Sequence, residues 1–173
     1  MKFDSSIVQM PFQSQLGPMT LAATQHGLAG VWFDGQRHLP EALTAPSSWP
    51  VNFENPVLLK TALQLTEYFA GQRGAFDVPL DLSGGTIFQQ SVWQAMLAIQ
   101  PGQTSSYSNI GRTINNLSAV RAVGAAVGRN PISIIVPCHR VLGANGALTG
   151  YAGGLDRKTA LLKLEGALEE NLF

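Results

Sequence analysis

Cysteine is nearly absent from this chain: Cys138 is the only one in 173 residues. A single thiol excludes an internal disulfide and points to a reducing compartment. The three histidines, His26, His38 and His139, are scattered, which leaves too few ligands for a structural zinc site. No metal and no cofactor is expected. No apolar run reaches the length of a membrane span, and Met1–Ser5 lacks the apolar core of a signal peptide. The expectation is a cytoplasmic protein without a membrane partner. Acidic residues are missing from Leu82 to Leu155. Net charge is missing too, since 11 basic groups balance 11 acids, and that by itself argues against a nucleic-acid partner. The distribution says otherwise. Residues 1–85 carry four basic groups against seven acids, and residues 86–173 carry seven against four. The basic half holds the cysteine. Its excess is modest, so few phosphate ion pairs and a shallow salt slope are expected.

What is present centres on Ile132–Arg140, Ile-Ser-Ile-Ile-Val-Pro-Cys-His-Arg. A β-branched apolar run between Pro131 and Pro137 reads as a short buried strand that stops where proline cannot donate. It would deliver Cys138 at a strand end, followed by His139 and Arg140. A lone cysteine is commonly a small buried hydrophobe. A thiol nucleophile must instead ionise, and neighbouring cationic side chains favour that form. With no acid between Leu82 and Leu155, the local field is positive or neutral unless a distant carboxylate folds back.

The first half reads as a scaffold. Ile7, Met10, Phe12 and Leu16 lead into the Gly17-Pro18 turn, and Met19–Thr24 and Leu28–Phe33 follow as strands of an antiparallel meander. Pro40–Pro56 reads as a loop. A helix begins at Pro56, with Val57, Leu58, Leu63, Leu65, Tyr68 and Phe69 as its apolar positions and Gly71 just past its end. Phe76–Leu80 reads as a further strand, and 81–85 as a linker.

The second half opens with a capping box, Thr86-Ile87-Phe88-Gln89. The helix it starts has Phe88, Val92, Trp93, Met96 and Ile99 as its core face and stops at Pro101-Gly102. Tyr107–Ile114 and Ala119–Gly128 are short helices joined by a tight turn, a helix-turn-helix pattern, with Ser118 as the cap of the second. Val120, Val123 and Val127 are expected to face the core. The remaining surface is Ala119, Ala122, Gly124, Ala125 and Ala126, with Arg121 its one long side chain. Such a bare face suits either close approach to a partner backbone or packing against another helix. It offers almost nothing to read base edges with. Asn145-Gly146 marks a turn, and Gly150–Gly154 surrounds Tyr151 with glycines. The last helix, Leu155–Glu165, buries Leu161, Leu162 and Leu164 and ends at Gly166. Glu165 in its final turn opposes the helix dipole, so a cationic partner is expected there, with His139 the best candidate.

Pro137-Cys138-His139-Arg140-Val141 resembles the active-site signature of the O6-alkylguanine-DNA alkyltransferases. The resemblance extends through Val92-Trp93-Gln94, Gly102 to Tyr107, Arg121–Gly124, Arg129-Asn130-Pro131, Gly150–Gly154 and Leu164-Glu165-Gly166. It implies an α+β fold. Residues 1–82 would form a ribonuclease H-like meander-plus-helix domain, and residues 86–173 a winged-helix-like, mainly helical domain that binds DNA and accepts the alkyl group. The implied activity is a single-turnover methyltransferase of DNA repair that moves an alkyl group from O6-alkylguanine to Cys138 after base flipping. His139 and Glu165 would relay the thiol proton through a water, and Asn130 would support the site. Tyr107, Val141, Tyr151 and Ala152 would line the base pocket. Arg121 would fill the hole left in the stack, with Ser106, Ala119, Ala122, Gly124 and Arg129 against the minor groove. The implied partner is double-stranded DNA carrying O6-alkylguanine, met by a monomer, with side-by-side assembly on DNA left open. Two departures stand out. Some relatives build a zinc site from N-terminal cysteines that this chain lacks, and others carry Ser at the position of Ala152, which leaves the substrate range, O4-alkylthymine included, open. Two other classes compete with this reading: an operator-reading helix-turn-helix regulator, which the bare helix face disfavours, and a Cys-His hydrolase, which would turn over.

Overall fold

Three antiparallel strands open the chain: β1 (Val8–Ser14), β2 (Gly17–Thr24) and β3 (Gly27–Phe33), in the order β1-β2-β3. The meander follows from alternating apolar residues punctuated by Gly17 and Gly27, both at positive φ. A bulge falls between Ala22 and Ala23. Pro11 lies in β1, an edge strand, where its missing N–H does least harm. The described residues are 1–45 and 48–168 of a computed structural model. Within the expected 40–56 loop, which contains a 3-10 turn at Glu41–Leu43, residues 46 and 47 lie outside them.

Exposed sheet edges invite unwanted pairing, and here single bridges occupy both. On β1, Gln9 receives Asn52 N–H at 2.9 Å and donates to the Pro50 carbonyl at 2.9 Å. On β3, Leu28 exchanges bonds with Pro79 and Asp81 at 2.8 and 2.7 Å, and Val31 with Pro131 and Ser133 at 2.9 and 3.0 Å. The expected strand at 76–80 is therefore reduced to one bridge, Leu28 with Leu80. Pro131–Ser133 joins the first of two compact units for the same reason. That unit comprises Met1–Thr86 and Pro131–Ser133, and the second is built from Ile87–Asn130 and the chain from Ile134 onward.

Helix α1 (Pro56–Phe69) packs on the meander. Asn55 caps it, accepting from Val57 and Leu58 N–H at 3.0 and 3.1 Å, and Pro56 occupies the first turn, where no N–H is needed. Its buried stripe is Leu58, Thr61, Gln64, Leu65, Tyr68 and Phe69. Leu63, expected inside, is 60% exposed, because Gln64 takes the inner position and binds the Asp77 backbone N–H at 3.1 Å.

The second unit holds α2 (Ile87–Leu97), α3 (Tyr107–Thr113), α4 (Val120–Gly128) and α5 (Leu155–Leu164), with a parallel pair of two-residue strands, β4 (Ser105–Ser106) and β5 (Val141–Leu142). The α+β class is as expected. Trp93 of α2 is fully buried and donates its indole N–H to the Ala126 carbonyl at 2.9 Å, tying α2 to α4. Helix α4 is entered through a 3-10 turn at Leu117–Ala119, and its N-cap is Ala119, without a side-chain cap; Ser118 does not serve. Its buried stripe is Val123, Ala126 and Val127, and Val120 is exposed instead. In α5 the expected Leu164 lies outside, and Lys158 takes an inner place with Leu161 and Leu162. Among the described residues, no helix is long and apolar enough to cross a membrane.

Gly30 is required by packing. A Cβ built there would lie 1.8 Å from the ring of Trp32, which is 1% exposed in the core of the first unit. Gly30→Ala is expected to destabilise the protein by about 1–3 kcal/mol, read as a lower urea midpoint; an unchanged midpoint would contradict this packing.

Candidate active site

The cysteine is delivered by a tight excursion of the chain. Helix α4 ends at Gly128, and the exposed Arg129 follows as its C-cap. Asn130, 4% exposed, turns its amide back across the next residues. Its Nδ2 donates to the Val136 carbonyl at 2.7 Å and to Cys138 Sγ at 3.1 Å. Residues 132–136 are buried as an apolar run should be, but only Ile132 pairs, in its single bridge to Val31, and the rest turn in place of the expected strand. Two facts account for it. Prolines at both ends withhold ladder donors, and Asn130 supplies a partner a neighbouring strand would otherwise provide. Ile134 is held at φ 73°, a left-handed backbone that a β-branched residue rarely adopts. Pro137, at φ −83° and ψ 63°, centres an inverse γ-turn in which Cys138 N–H donates to Val136 O at 2.9 Å. Cys138 thus starts a 3-10 turn, Cys138–Arg140, that leads into β5.

Below it lies a buried charge cluster. Glu165, the C-cap of α5, does fold back onto this segment. Its side chain is 2% exposed. His139, fully buried, meets Glu165 Oε1 through Nε2 at 2.9 Å. A carboxylate only accepts, so Nε2 is the protonated nitrogen. Arg140 grips both carboxylate oxygens, Nε to Oε2 and Nη2 to Oε1, each at 2.8 Å, and donates through Nη1 to the Ile99 carbonyl. His139 Nδ1 is buried and has no protein partner. Burial pushes the Cys138 thiol above its usual value. The Asn130 amide, the Lys158 charge and the N–H groups of Cys138 and His139 pull it back. Burial likewise lowers His139, against the raising effect of Glu165, so the imidazole is neutral and one nitrogen is free to take a proton.

Tyr107 begins α3. Ser106 is the cap of that helix, its Oγ accepting from Asn109 N–H at 3.1 Å. The half-buried Tyr107 hydroxyl donates to the Thr149 carbonyl at 3.3 Å. Tyr151 and Ala152 are half-buried in the segment before α5, and Val141 is fully buried. Arg121 and Ala122 are exposed on α4, Ala119 and Gly124 partly so. A Cβ on Gly124 would lie 3.9 Å from the Tyr107 ring, an ordinary contact, so space alone does not demand glycine there. A groove of about 410 Å³ is lined by Ser106, Tyr107, Asn109, Val120, Leu142 and Asn145, among others. The structure thus brings Cys138, His139, Glu165 and Asn130 together, with Arg121 and Arg129 outside that cluster. Two groups escape the sequence reading as site members. From the sequence, Arg140 contributes only a positive field. Lys158 carries no motif, although its spacing of three and four from Leu161 and Leu162 signals an inward-facing lysine. Among the described residues, no three His, Cys, Asp or Glu side chains cluster to hold a metal.

Two family models match the chain: the 6-O-methylguanine DNA methyltransferase ribonuclease-like domain over residues 7–82, and the DNA-binding domain of the same family over residues 87–167. A methylated-DNA–protein-cysteine methyltransferase of Methanosarcina acetivorans is 49% identical over 156 residues, 90% of this chain and 96% of that protein. The crystal structure of Mycobacterium tuberculosis O6-methylguanine methyltransferase superposes with a TM-score of 0.81 at 44% identity, covering 95% of this chain and 96% of that one. M. tuberculosis OGT in complex with DNA gives 0.79 at 45% identity, with 93% and 92% covered. The chain belongs to the 6-O-methylguanine DNA methyltransferase family.

Proposed function

We propose that this methyltransferase repairs DNA by moving the alkyl group of O6-alkylguanine onto Cys138, once per molecule. The observation that carries this reading is a thiol that accepts from the Asn130 amide at 3.1 Å in the same 3-10 turn as His139, whose Nε2 meets Glu165 at 2.9 Å. The O6 substituent is hidden inside the duplex, so the nucleotide must turn out, at a cost of a few kcal/mol. Arg121, exposed near the start of α4, is the side chain to fill the gap. The small residues Ala119, Ala122 and Gly124 let that helix lie close to the minor groove, with Ser106 and Arg129 near the backbone. Tyr107, Val141, Tyr151 and Ala152 wall the extruded base. Residues 87–167 thus supply the chemistry and the DNA contact, and the N-terminal unit is scaffold.

The chemistry balances without a cofactor. The thiol proton passes through a water to His139 Nδ1, while Nε2 stays hydrogen-bonded to Glu165. The thiolate attacks the alkyl carbon in line. The S–C bond forms as the C–O6 bond breaks, and O6 gains charge that the Tyr107 hydroxyl can stabilise. The guanine anion takes one proton at N1 from water, His139 returns the thiol proton to solvent, and the base stays in the strand as keto guanine. Cys138 is left as a thioether with no hydrolytic exit, so the protein is consumed.

Mixing the protein with excess duplex carrying tritiated O6-methylguanine is expected to transfer one methyl per chain, recovered on the Cys138 peptide, and none with Cys138→Ala. Turnover beyond one equivalent, or label elsewhere, would contradict the reading. Arg121→Ala is expected to slow transfer from duplex DNA at least tenfold, about 1.4 kcal/mol, while leaving iodoacetamide alkylation of Cys138 at its parent rate; equal duplex rates would remove Arg121 from the mechanism.

A further inference from the structure

Lys158 is a buried ionisable group that this mechanism does not use. It lies in the first turns of α5 with no exposed surface. Its Nζ donates to three backbone carbonyls: Val141 at 2.7 Å, Thr149 at 2.9 Å and Gly150 at 3.2 Å. An ammonium has three donors, and all three are used. No carboxylate shares its site among the described residues; its charge is met by carbonyl dipoles alone. Replacing a buried lysine by an apolar residue is ordinarily the cheaper way to fill such a space, so the charge calls for an explanation.

The three acceptors supply one. Val141 follows the Cys138–Arg140 turn directly. Thr149 O also accepts the Tyr107 hydroxyl, at 3.3 Å. Gly150, at φ 53°, sits so close to that hydroxyl that a Cβ would come within 3.7 Å of it. One ammonium therefore fastens the end of the cysteine segment, the wall before Tyr151 and the phenol to a single helix. Cys138 and His139 are the ionisable groups within its field. The lysine and the thiolate each favour the other's charged form, and the lysine disfavours a charged imidazole.

We propose that Lys158 is a positioning residue for the transfer: its ammonium ties the 149–150 wall and Tyr107 to Val141, the residue that follows the cysteine turn. This rests on the function proposed above. Burial lowers its own pKa to about 8, and it keeps its proton at neutral pH.

The test uses the full chain and no DNA, so its failure is separable from failure of the repair reading. Cys138 is the only thiol, so iodoacetamide reports on it alone. In Lys158→Met the rate of alkylation at pH 7, where the parent lysine is charged, is expected to fall about threefold or more. Amide exchange at residues 149–151 is expected to quicken roughly tenfold. A folded variant that alkylates at the parent's rate overturns the proposal. A second measurement needs no substitution. Raising the pH through about 8 removes the Lys158 ammonium, and amide exchange at residues 149–151 is expected to quicken across that range more than at core amides of the same unit. Residues 149–151 that keep step with those amides overturn the proposal, whether or not Lys158→Met folds.

Discussion

Glu165 holds the site together. Its carboxylate, at the C-terminal end of α5, opposes the helix dipole and is almost wholly out of water, two conditions that disfavour a charge. Both are offset by the same partners: a bidentate guanidinium from Arg140 and the Nε2–H of His139. Oε1 is shared between the two, so the carboxylate is held ionised and aimed, and it fixes which imidazole nitrogen carries a proton. Arg140 and His139 are consecutive residues of one 3-10 turn that also contains Cys138. Orienting them therefore orients the sulfur. Removing Glu165 would strand a buried guanidinium and free the imidazole at the same time.

The rest of the second unit serves to present this turn. Asn130 bonds Val136 and the sulfur with one amide, so the geometry of the excursion and the environment of the thiol are set together. The strained Ile134 is the conformational cost of that tight path, and it persists because the surrounding run is buried. Lys158 closes the far side, gathering Val141 and the pocket wall. The thiol is thus desolvated, which raises its pKa, while donors and a cation lower it again. That balance suits the role proposed for Cys138, a thiol shielded from stray electrophiles until its proton is taken.

Much of this was legible in the residues. The meander follows from alternation and two glycine turns, and α1 from Asn55-Pro56 and its apolar spacing. A terminal acid in α5 pointed to a cation; His139 makes the expected contact, but as a neutral imidazole, and the cation is Arg140. What escaped has common physical causes. Residues 132–136 are apolar and β-branched, as a buried strand would be. Whether such a run pairs or turns is decided by a side chain outside it, Asn130, and by the donors its prolines lack. The same holds for Phe76–Leu80, where only Leu80 finds a bridge. Leu63, Val120 and Leu164 fall near the margins of their apolar stripes, and Gln64, Ala126 and Lys158 take the inner places. Polar residues that satisfy backbone groups are interior by virtue of tertiary partners, which periodicity does not name.

The direction of one hydrogen bond, from His139 Nε2 to Glu165, decides whether Nδ1 can take the thiol proton as proposed. Nitrogen NMR of the His139 ring across the pH range tests it directly. The account predicts that Nε2 stays protonated throughout and that any titration appears at Nδ1. A neutral ring protonated at Nδ1, with Nε2 bare against the carboxylate, would contradict it.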